Sequence, residues 1–174
     1  MSKIATLLMP GRGDTDLMLE HFAQQASAQG HVIRGTVQIN TESKPDHPCD
    51  MDVKVLPDGP VVRISQSLGK NAKGCRLDPS ALEVAVAAVA SSINDPVDLL
   101  IINKFGKHEA EGRGFRDVIA EAVARDIPII VGLNKLNAGA FEAFAGAYAE
   151  PCAPNLAALT EWFEQARRNS PEPA

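Results

Sequence analysis

The stretch IATLLMPGRGDTDL, residues 4–17, decides the fold of this chain. Its first part, from Ile4 to Met9, is a continuous apolar run that ends at a Pro-Gly turn, as is typical of a buried parallel strand. Its second part leads into Thr15 to Gln29, where apolar residues recur at helical spacing until Gly30. A strand, a glycine-bearing turn and a helix in this order predict the first unit of an α/β sheet.

The same alternation of strands and helices continues along the chain. Further strands are predicted over 31–39, 98–102 and 127–133, a hairpin over 53–56 and 61–64, and helices over 77–93, 112–125, 141–147 and 155–168. This pattern predicts a mostly parallel sheet with helices on both faces and one inserted hairpin. We expect the strands 4–9 and 98–102 to be neighbours in that sheet. Residues 1–168 are expected to form a single domain, and 169–174 a disordered tail.

Composition excludes several classes of function. The net charge of −5 and the aromatic content of 5% argue against a nucleic-acid partner or an anionic membrane surface. The first apolar run is too short to span a bilayer. Three widely spaced cysteines do not suggest a disulfide framework, and a cytoplasmic location is expected. Whether the protein forms a homo-oligomer is left open by the sequence.

The loop after the first strand has part of a phosphate-binding pattern, which requires glycine, four residues, glycine, lysine and serine or threonine. Gly13 and Thr15 match it, whereas Leu8 replaces the first glycine and Asp14 replaces the lysine. A tight turn with a helix cap explains the same residues equally well. Thr15 is either a metal ligand or an ordinary helix residue. The candidate ligand-binding residues of this loop are Gly11, Arg12, Gly13, Asp14 and Thr15.

Two further segments supply polar residues to the same edge of the predicted sheet. Ligands of parallel sheets bind beyond the carboxyl ends of the strands, so ligand-binding residues are also expected in the segment after the third strand. Its candidates are Asn103, Lys104, Lys107, His108 and Glu109. The glycine-bearing segment 70–76 adds three cations, and it is either an anion-binding loop or a solvated one. Its candidates are Lys70, Lys73 and Arg76.

Two cysteine-bearing segments give weaker signals. His47, Cys49 and Asp50 are three potential metal ligands in four residues, but no second cluster completes a four-ligand set, so no metal is expected. Cys75 lies between cationic residues, which would lower the pKa of a thiol, although an inert cysteine fits the sequence as well.

The segment 100–112 resembles the Walker-B region of the thermophilic-type nucleoside triphosphatases. In that pattern an apolar strand leads into Asp-Glu, an apolar residue, Gly, two residues and Glu. Gly106 and Glu109 match, whereas Asn103 and Lys104 replace the Asp and the Glu. The resemblance implies a P-loop-NTPase-like α/β fold, and the replacements make its Walker motifs degenerate.

A closer resemblance is to the bacterial domain of unknown function 2478. The segments that carry it are 13–16, 32–38, 74–78, 103–107 and 109–114, and the resemblance covers nearly the whole chain. It implies the same fold and a link to molybdenum uptake, and it implies no settled activity.

These residues favour a protein that binds a small anionic ligand, a nucleotide or an inorganic oxyanion, with little or no hydrolysis. A carboxylate at position 14 would repel phosphates, and Asn103 lacks the charge that Mg²⁺ prefers, so Mg²⁺ is doubtful as a cofactor. A divergent nucleoside triphosphatase or phosphotransferase, and an interaction domain with a vestigial site, are the alternatives. Because the acid and the lysine are exchanged between the two loops, we expect Asp14 and Lys104 to form an ion pair.

Overall fold

Nine strands and six α-helices form the described part of the computed structural model, which covers residues 3–11, 13–41, 50–66 and 76–170. The strands are β1 (Ile4–Leu8), β2 (Ile33–Thr41), β3 (Asp50–Val55), β4 (Val61–Arg63), β5 (Ser65–Gln66), β6 (Arg76–Leu77), β7 (Leu99–Phe105), β8 (Ile129–Leu133) and β9 (Ala149–Pro151). The helices are α1 (Asp14–Ala28), α2 (Pro79–Ser92), α3 (Lys107–Ala110), α4 (Arg116–Ala124), α5 (Ala138–Ala145) and α6 (Leu156–Arg168). No helix within these ranges has the length and apolar character needed to cross a bilayer.

One sheet of seven strands carries the fold of the described residues, in the order β4-β3-β2-β7-β8-β1-β9. The strands from β2 to β9 in that order are parallel, and β3 and β4 add antiparallel at one edge. The two short strands β5 and β6 pair separately. The predicted α/β fold, a mostly parallel sheet with one inserted hairpin, is therefore confirmed.

Helices cover both faces of the sheet because its central strands are apolar on both sides. Along β1, Ile4 belongs to the cluster beneath α2, α4 and α5, whereas Ala5 and Leu7 belong to the cluster beneath α1 and α6. The neighbouring residues Ile101 and Ile102 of β7 are divided between the two clusters in the same way. Burying a side chain of this size stabilises the fold by about 1.5–3 kcal/mol, so the continuous apolar runs favour this central position.

The expectation that the strands of residues 4–9 and 98–102 are neighbours is wrong. β8 lies between them and pairs in parallel with both, with Ile129 opposite Ile4 on one side and Leu100 on the other. β1 and β7 still belong to one sheet. The physical reason is that β8 is as apolar as its two neighbours, so it can be buried between them, and its later position in the sequence gives no information about this placement.

The third predicted strand extends further than the sequence indicated. Asn103 and Lys104 belong to β7, which ends at Phe105, and the pairing with β8 shifts register between Ile102 and Phe105. Gly132 makes this irregular pairing possible, because a Cβ there would lie 2.0 Å from the carbonyl oxygen of Asn103. The predicted helix 112–125 is shorter at its start, and the separate short helix α3 precedes it. The edge strand β9 was not predicted.

Gly35 provides a test of how closely β2 and β7 approach each other. Its φ is 111°, and a Cβ would lie 1.9 Å from the carbonyl oxygen of Ile101, so Gly35→Ala combines backbone strain with a steric clash. We expect a loss of about 2–4 kcal/mol in the free energy of unfolding, measured in urea. The matched control is Gly139→Ala in α5, where a Cβ has no neighbour within 4 Å; that variant should gain up to about 1 kcal/mol. Equal stability of the two variants would contradict the close strand approach.

Candidate functional site

A cleft of about 580 Å³ lies at the carboxyl ends of β1, β8, β7 and β2. Its lining residues come from the first loop, the start of α1, the ends of these strands, β3 and the segment after β8. They are Met9, Pro10, Gly11, Gly13, Thr15, Asp16, Gln38, Asn40, Met51, Asn103, Lys104, Gly132, Leu133 and Asn134. The position is the one that ligands of parallel sheets occupy, and it contains five of the predicted site residues.

The first loop turns sharply into α1 at Gly13. This glycine has a φ of 80°, in the left-handed region, and α1 begins at the next residue without a side-chain cap. Asp14 is exposed and lies close to Gly11, where a Cβ would be 1.7 Å from its Oδ2 atom. The methyl carbon of Thr15 lies 3.1 Å from the Cβ position of Gly132, so Thr15 lies against β8 at the base of the cleft.

A closed ring of hydrogen bonds joins α1 to β2 and β7, and we call it the amide ring. Its members are Asp16, Gln38, Asn40 and Asn103. The Nδ2 groups of Asn103 and Asn40 donate to the two carboxylate oxygens of Asp16, each at 2.8 Å. The backbone N–H of Gln38 donates to Asn103 Oδ1 at 2.8 Å, and Gln38 Nε2 donates to Asn40 Oδ1 at 2.8 Å.

The amide ring gives Asn103 a structural role. Its side chain is 4% exposed, and both of its polar atoms are hydrogen-bonded within the ring. A carboxylate at this position would face Asp16 without a hydrogen between them. Sequence reasoning missed Asp16, although an acid in the first turn of a helix that opens a ligand-binding edge is a signal that could have identified it.

The predicted ion pair between Asp14 and Lys104 is wrong. No described carboxylate lies within the 4.0 Å ion-pair distance of Lys104 Nζ, and Asp14 does not line the cleft. The acid at the cleft is Asp16, and its oxygens are occupied by the two amides. The first turn of α1 therefore carries two acids, the exposed Asp14 and the hydrogen-bonded Asp16, and Lys104 is exposed at the cleft.

A second cavity of about 300 Å³ adjoins the cleft on the side of β2 and β3. The two cavities share five lining residues, which are Gln38, Met51, Asn103, Lys104 and Asn134. The second cavity also contains the predicted residues Lys107, His108 and Glu109. Lys104 is the cation common to both cavities among the described residues, so a ligand in either one can reach it.

Glu109 holds the wall of the second cavity in place. It is 2% exposed, and its carboxylate accepts hydrogen bonds from the backbone N–H groups of Gly106, at 2.9 Å, and Phe115, at 3.4 Å. Burial raises the pKa of Glu109, and these two hydrogen bonds and the nearby His108 oppose that rise. Gly114 is required beside it, because a Cβ there would lie 2.3 Å from Glu109 Oε1.

The remaining predicted residues of this segment are bound to acids. His108 is 6% exposed, and its Nε2 atom lies 2.8 Å from Glu83 Oε1, which also accepts from the backbone N–H of Gly114. Lys107 pairs with Glu111 across one helical turn at 3.8 Å. His108 and Lys107 are therefore each next to an acid, whereas Lys104 has no described carboxylate within ion-pair distance.

Several sequence predictions lie outside the described residues. They are Arg12, Lys70, Lys73, the side chain of Arg76, Cys75 and the segment from His47 to Cys49. Among the residues that the structure does describe, no group of three His, Cys, Asp or Glu side chains is placed to hold a metal ion.

The sheet order and the glycine-bearing loop between β1 and α1 define an α/β protein with the fold of P-loop nucleoside triphosphatases. The fold is similar to the crystal structure of THEP1 from the hyperthermophile Aquifex aeolicus, with a TM-score of 0.59 and 16% identity over 95% of this chain and 96% of that one. The chain belongs to the family described as "protein of unknown function (DUF2478)", whose model matches residues 4–162.

A curated relative is similar in sequence over most of this chain. It is the molybdenum import ATP-binding protein ModC 2 of Bradyrhizobium diazoefficiens, and the two are 38% identical over 145 residues. The match covers 83% of this chain and 16% of the relative, so this chain corresponds to a small part of that protein.

The amide ring can be tested by adding a second carboxylate to it. Asn103→Asp sets two carboxylates side by side, and we expect a loss of about 1–3 kcal/mol in unfolding free energy at neutral pH. Repulsion raises the pKa of one carboxyl in the folded variant, so the loss should be small near about pH 4 and grow as the pH rises. The measurement is urea unfolding of the variant and the parent chain across this range.

The double variant Asn103→Asp with Asp16→Asn is the matched control. It keeps one carboxylate and can form all four hydrogen bonds of the ring, with only the bond between positions 16 and 103 reversed in direction, so it should recover most of the stability. If Asn103→Asp alone is as stable as the parent at neutral pH, the ring does not form as described.

Proposed function

We propose that this protein is an accessory or regulatory protein that binds a small anionic ligand, a nucleotide or an inorganic oxyanion, with little or no hydrolysis. The observation that carries this proposal is Lys104. It is exposed, makes no ion pair with a described residue, and lines both cavities at the carboxyl edge of the sheet. An ammonium group without a partner in a partly enclosed cleft attracts an anion more strongly than one on an open surface.

The acids of the first loop limit where that anion can bind. Asp16 is half-buried and is neutralised in part by two amide donors and by the amino end of α1. Asp14 is exposed at the start of α1 and is not among the residues that line the cleft. An anion is therefore favoured at Lys104 and disfavoured at the loop itself, where phosphates bind in proteins that keep the loop lysine.

Hydrolysis lacks the groups that it normally uses. Asn103 supplies an amide whose two polar atoms are already bonded, and Lys104 has an ammonium that cannot accept a proton. The carboxylate of Glu109 is directed to two backbone N–H groups. The described cleft thus offers neither a free carboxylate for Mg²⁺ nor a base for water.

The link to molybdate rests on the curated relative. That protein is named for molybdenum import and ATP binding, and only 16% of it matches this chain. This chain has Asp14 where a phosphate-binding loop needs its lysine, so the similarity does not depend on a complete ATP-binding motif. A role beside a molybdate import ATPase, as a sensor of a small anion, fits both facts.

Lys104→Ala is the direct test of anion binding. Isothermal titration with molybdate, tungstate, sulfate, phosphate, ADP and ATP should show at least one ligand whose affinity falls about tenfold or more in the variant, as expected for the loss of a charge-assisted contact. Lys54→Ala is the matched control, because Lys54 lies in β3 and lines neither cavity. Equal effects of the two variants, or no binding of any ligand, would refute the proposal.

We also expect no appreciable release of phosphate from Mg-ATP or Mg-GTP. The pure protein should show only the background rate in a coupled phosphate assay, and Asn103→Asp should leave that rate unchanged, because the loop lysine is still absent. Steady hydrolysis that is abolished by Lys104→Ala would show that the site is catalytic.

A further inference from the structure

We propose that the 300 Å³ cavity beside the cleft holds a planar heteroaromatic ring, and that the phosphate attached to this ring is bound by Lys104. The ligand class is a nucleoside monophosphate or a molecule of the same chemistry. This inference rests on the proposed function, since it takes Lys104 as the anion site. It places the ring on the side of β2 and β3, away from the first loop.

The walls of the cavity suit a flat apolar body. Side chains from β3, β6, α2 and the segments after β4 and α3 form them, namely Val53, Ile64, Leu77, Leu82 and Phe115. Of these five, all but Leu77 are buried in the core. The volume lies at the lower end of the range for small-molecule pockets, so it accommodates one ring system and a short substituent.

Thr36 places a hydroxyl group on the wall of the cavity. It lies on β2, is 1% exposed and lines the cavity, and its hydroxyl forms no hydrogen bond with a described residue. A hydroxyl at a cavity wall can both donate and accept a hydrogen bond. The edge of a heteroaromatic ring offers an acceptor or a donor for it.

Two amides at the mouth add a donor and an acceptor. Asn134 Oδ1 accepts from both the backbone N–H and the Nδ2 group of Asn137, at 2.9 and 3.0 Å. This leaves Asn134 Nδ2 and Asn137 Oδ1 without a bond to a described residue, and both residues line the cavity. A nucleobase edge carries complementary donors and acceptors, whereas molybdate and sulfate have no donor for the free amide oxygen.

The acids near the cavity have hydrogen-bond donors of their own, which offset part of their repulsion of an anion at its mouth. Glu109 is turned to the backbone of Gly106 and Phe115, and Glu83 is bonded to His108 and Gly114. Lys104 lies on the wall shared with the cleft, so a phosphate there can extend into the larger space while the ring stays in the smaller one.

The experiment compares four kinds of ligand by isothermal titration: nucleoside monophosphates, nucleosides, ribose 5-phosphate, and inorganic phosphate or molybdate. We expect at least one nucleoside monophosphate to bind at least tenfold more tightly than ribose 5-phosphate. Thr36→Val should weaken that monophosphate about five- to tenfold and leave inorganic anions unchanged. It removes no hydrogen bond within the described protein, so folding should not be affected.

Thr6→Val is the matched control, because Thr6 is a buried strand threonine of β1 that lines neither cavity. Methyl NMR spectra give the location: bound monophosphate should shift the resonances of Ile64 and Leu82, and leave those of Leu159, in the opposite core cluster, in place. Shifts confined to other methyl groups, or equal effects of Thr36→Val and Thr6→Val, would overturn the proposal.

The same data separate this inference from the proposed function. If inorganic anions bind in a manner that depends on Lys104, and the ring adds no affinity, only the ring site is refuted. If no ligand of the four kinds depends on Lys104, both the anion site and this inference are refuted.

Discussion

The candidate site depends on the hydrogen bond between Asn103 and Asp16. It joins the middle of the sheet to the first turn of α1, across 87 residues of sequence. Asn103 is buried, and the next residue along β7, Lys104, is exposed at the cleft. The amide ring therefore fixes the strand segment that carries the cation on which ligand binding is proposed to depend.

The hydrogen bond between Asn103 and Asp16 also affects how the altered positions of the two phosphate-site motifs are interpreted. A lysine in the first loop and an acid at position 103 would attract phosphates and Mg²⁺. Here Asn103 donates instead to Asp16, two residues after the Asp14 that stands at the lysine position. Asp16 lies in the first turn of α1 and has a donor for each carboxylate oxygen, which reduces the cost of its partial burial. The polar groups at this edge of the cleft thus bond to one another, and the proposed anion site depends on Lys104.

The sequence predicted the fold well because the relevant signals are local. Apolar runs such as Ile4–Met9 and the helical spacing of the segments between strands are visible within about ten residues. Strand order is a long-range property, and this is why the position of β8 between β1 and β7 was missed. Asn103 was assigned to a loop because it is polar, whereas its polar atoms are satisfied by Asp16 and by the backbone of Gln38, contacts that only the folded chain brings together.

The residues that match the Walker-B pattern and the residues that differ from it have different structural roles. Gly106 and Glu109 match, and the backbone N–H of Gly106 donates to the carboxylate of Glu109, a bond that caps α3 at the wall of the second cavity. Asn103 and Lys104, which differ, lie on the wall between the two cavities. Gly106 and Glu109 therefore shape the pocket, whereas Asn103 has both polar atoms bonded within the amide ring and Lys104 carries an ammonium group. Neither of these two side chains would place a metal or activate water, and this is the reason why binding of an anion, and not its cleavage, is the proposed function.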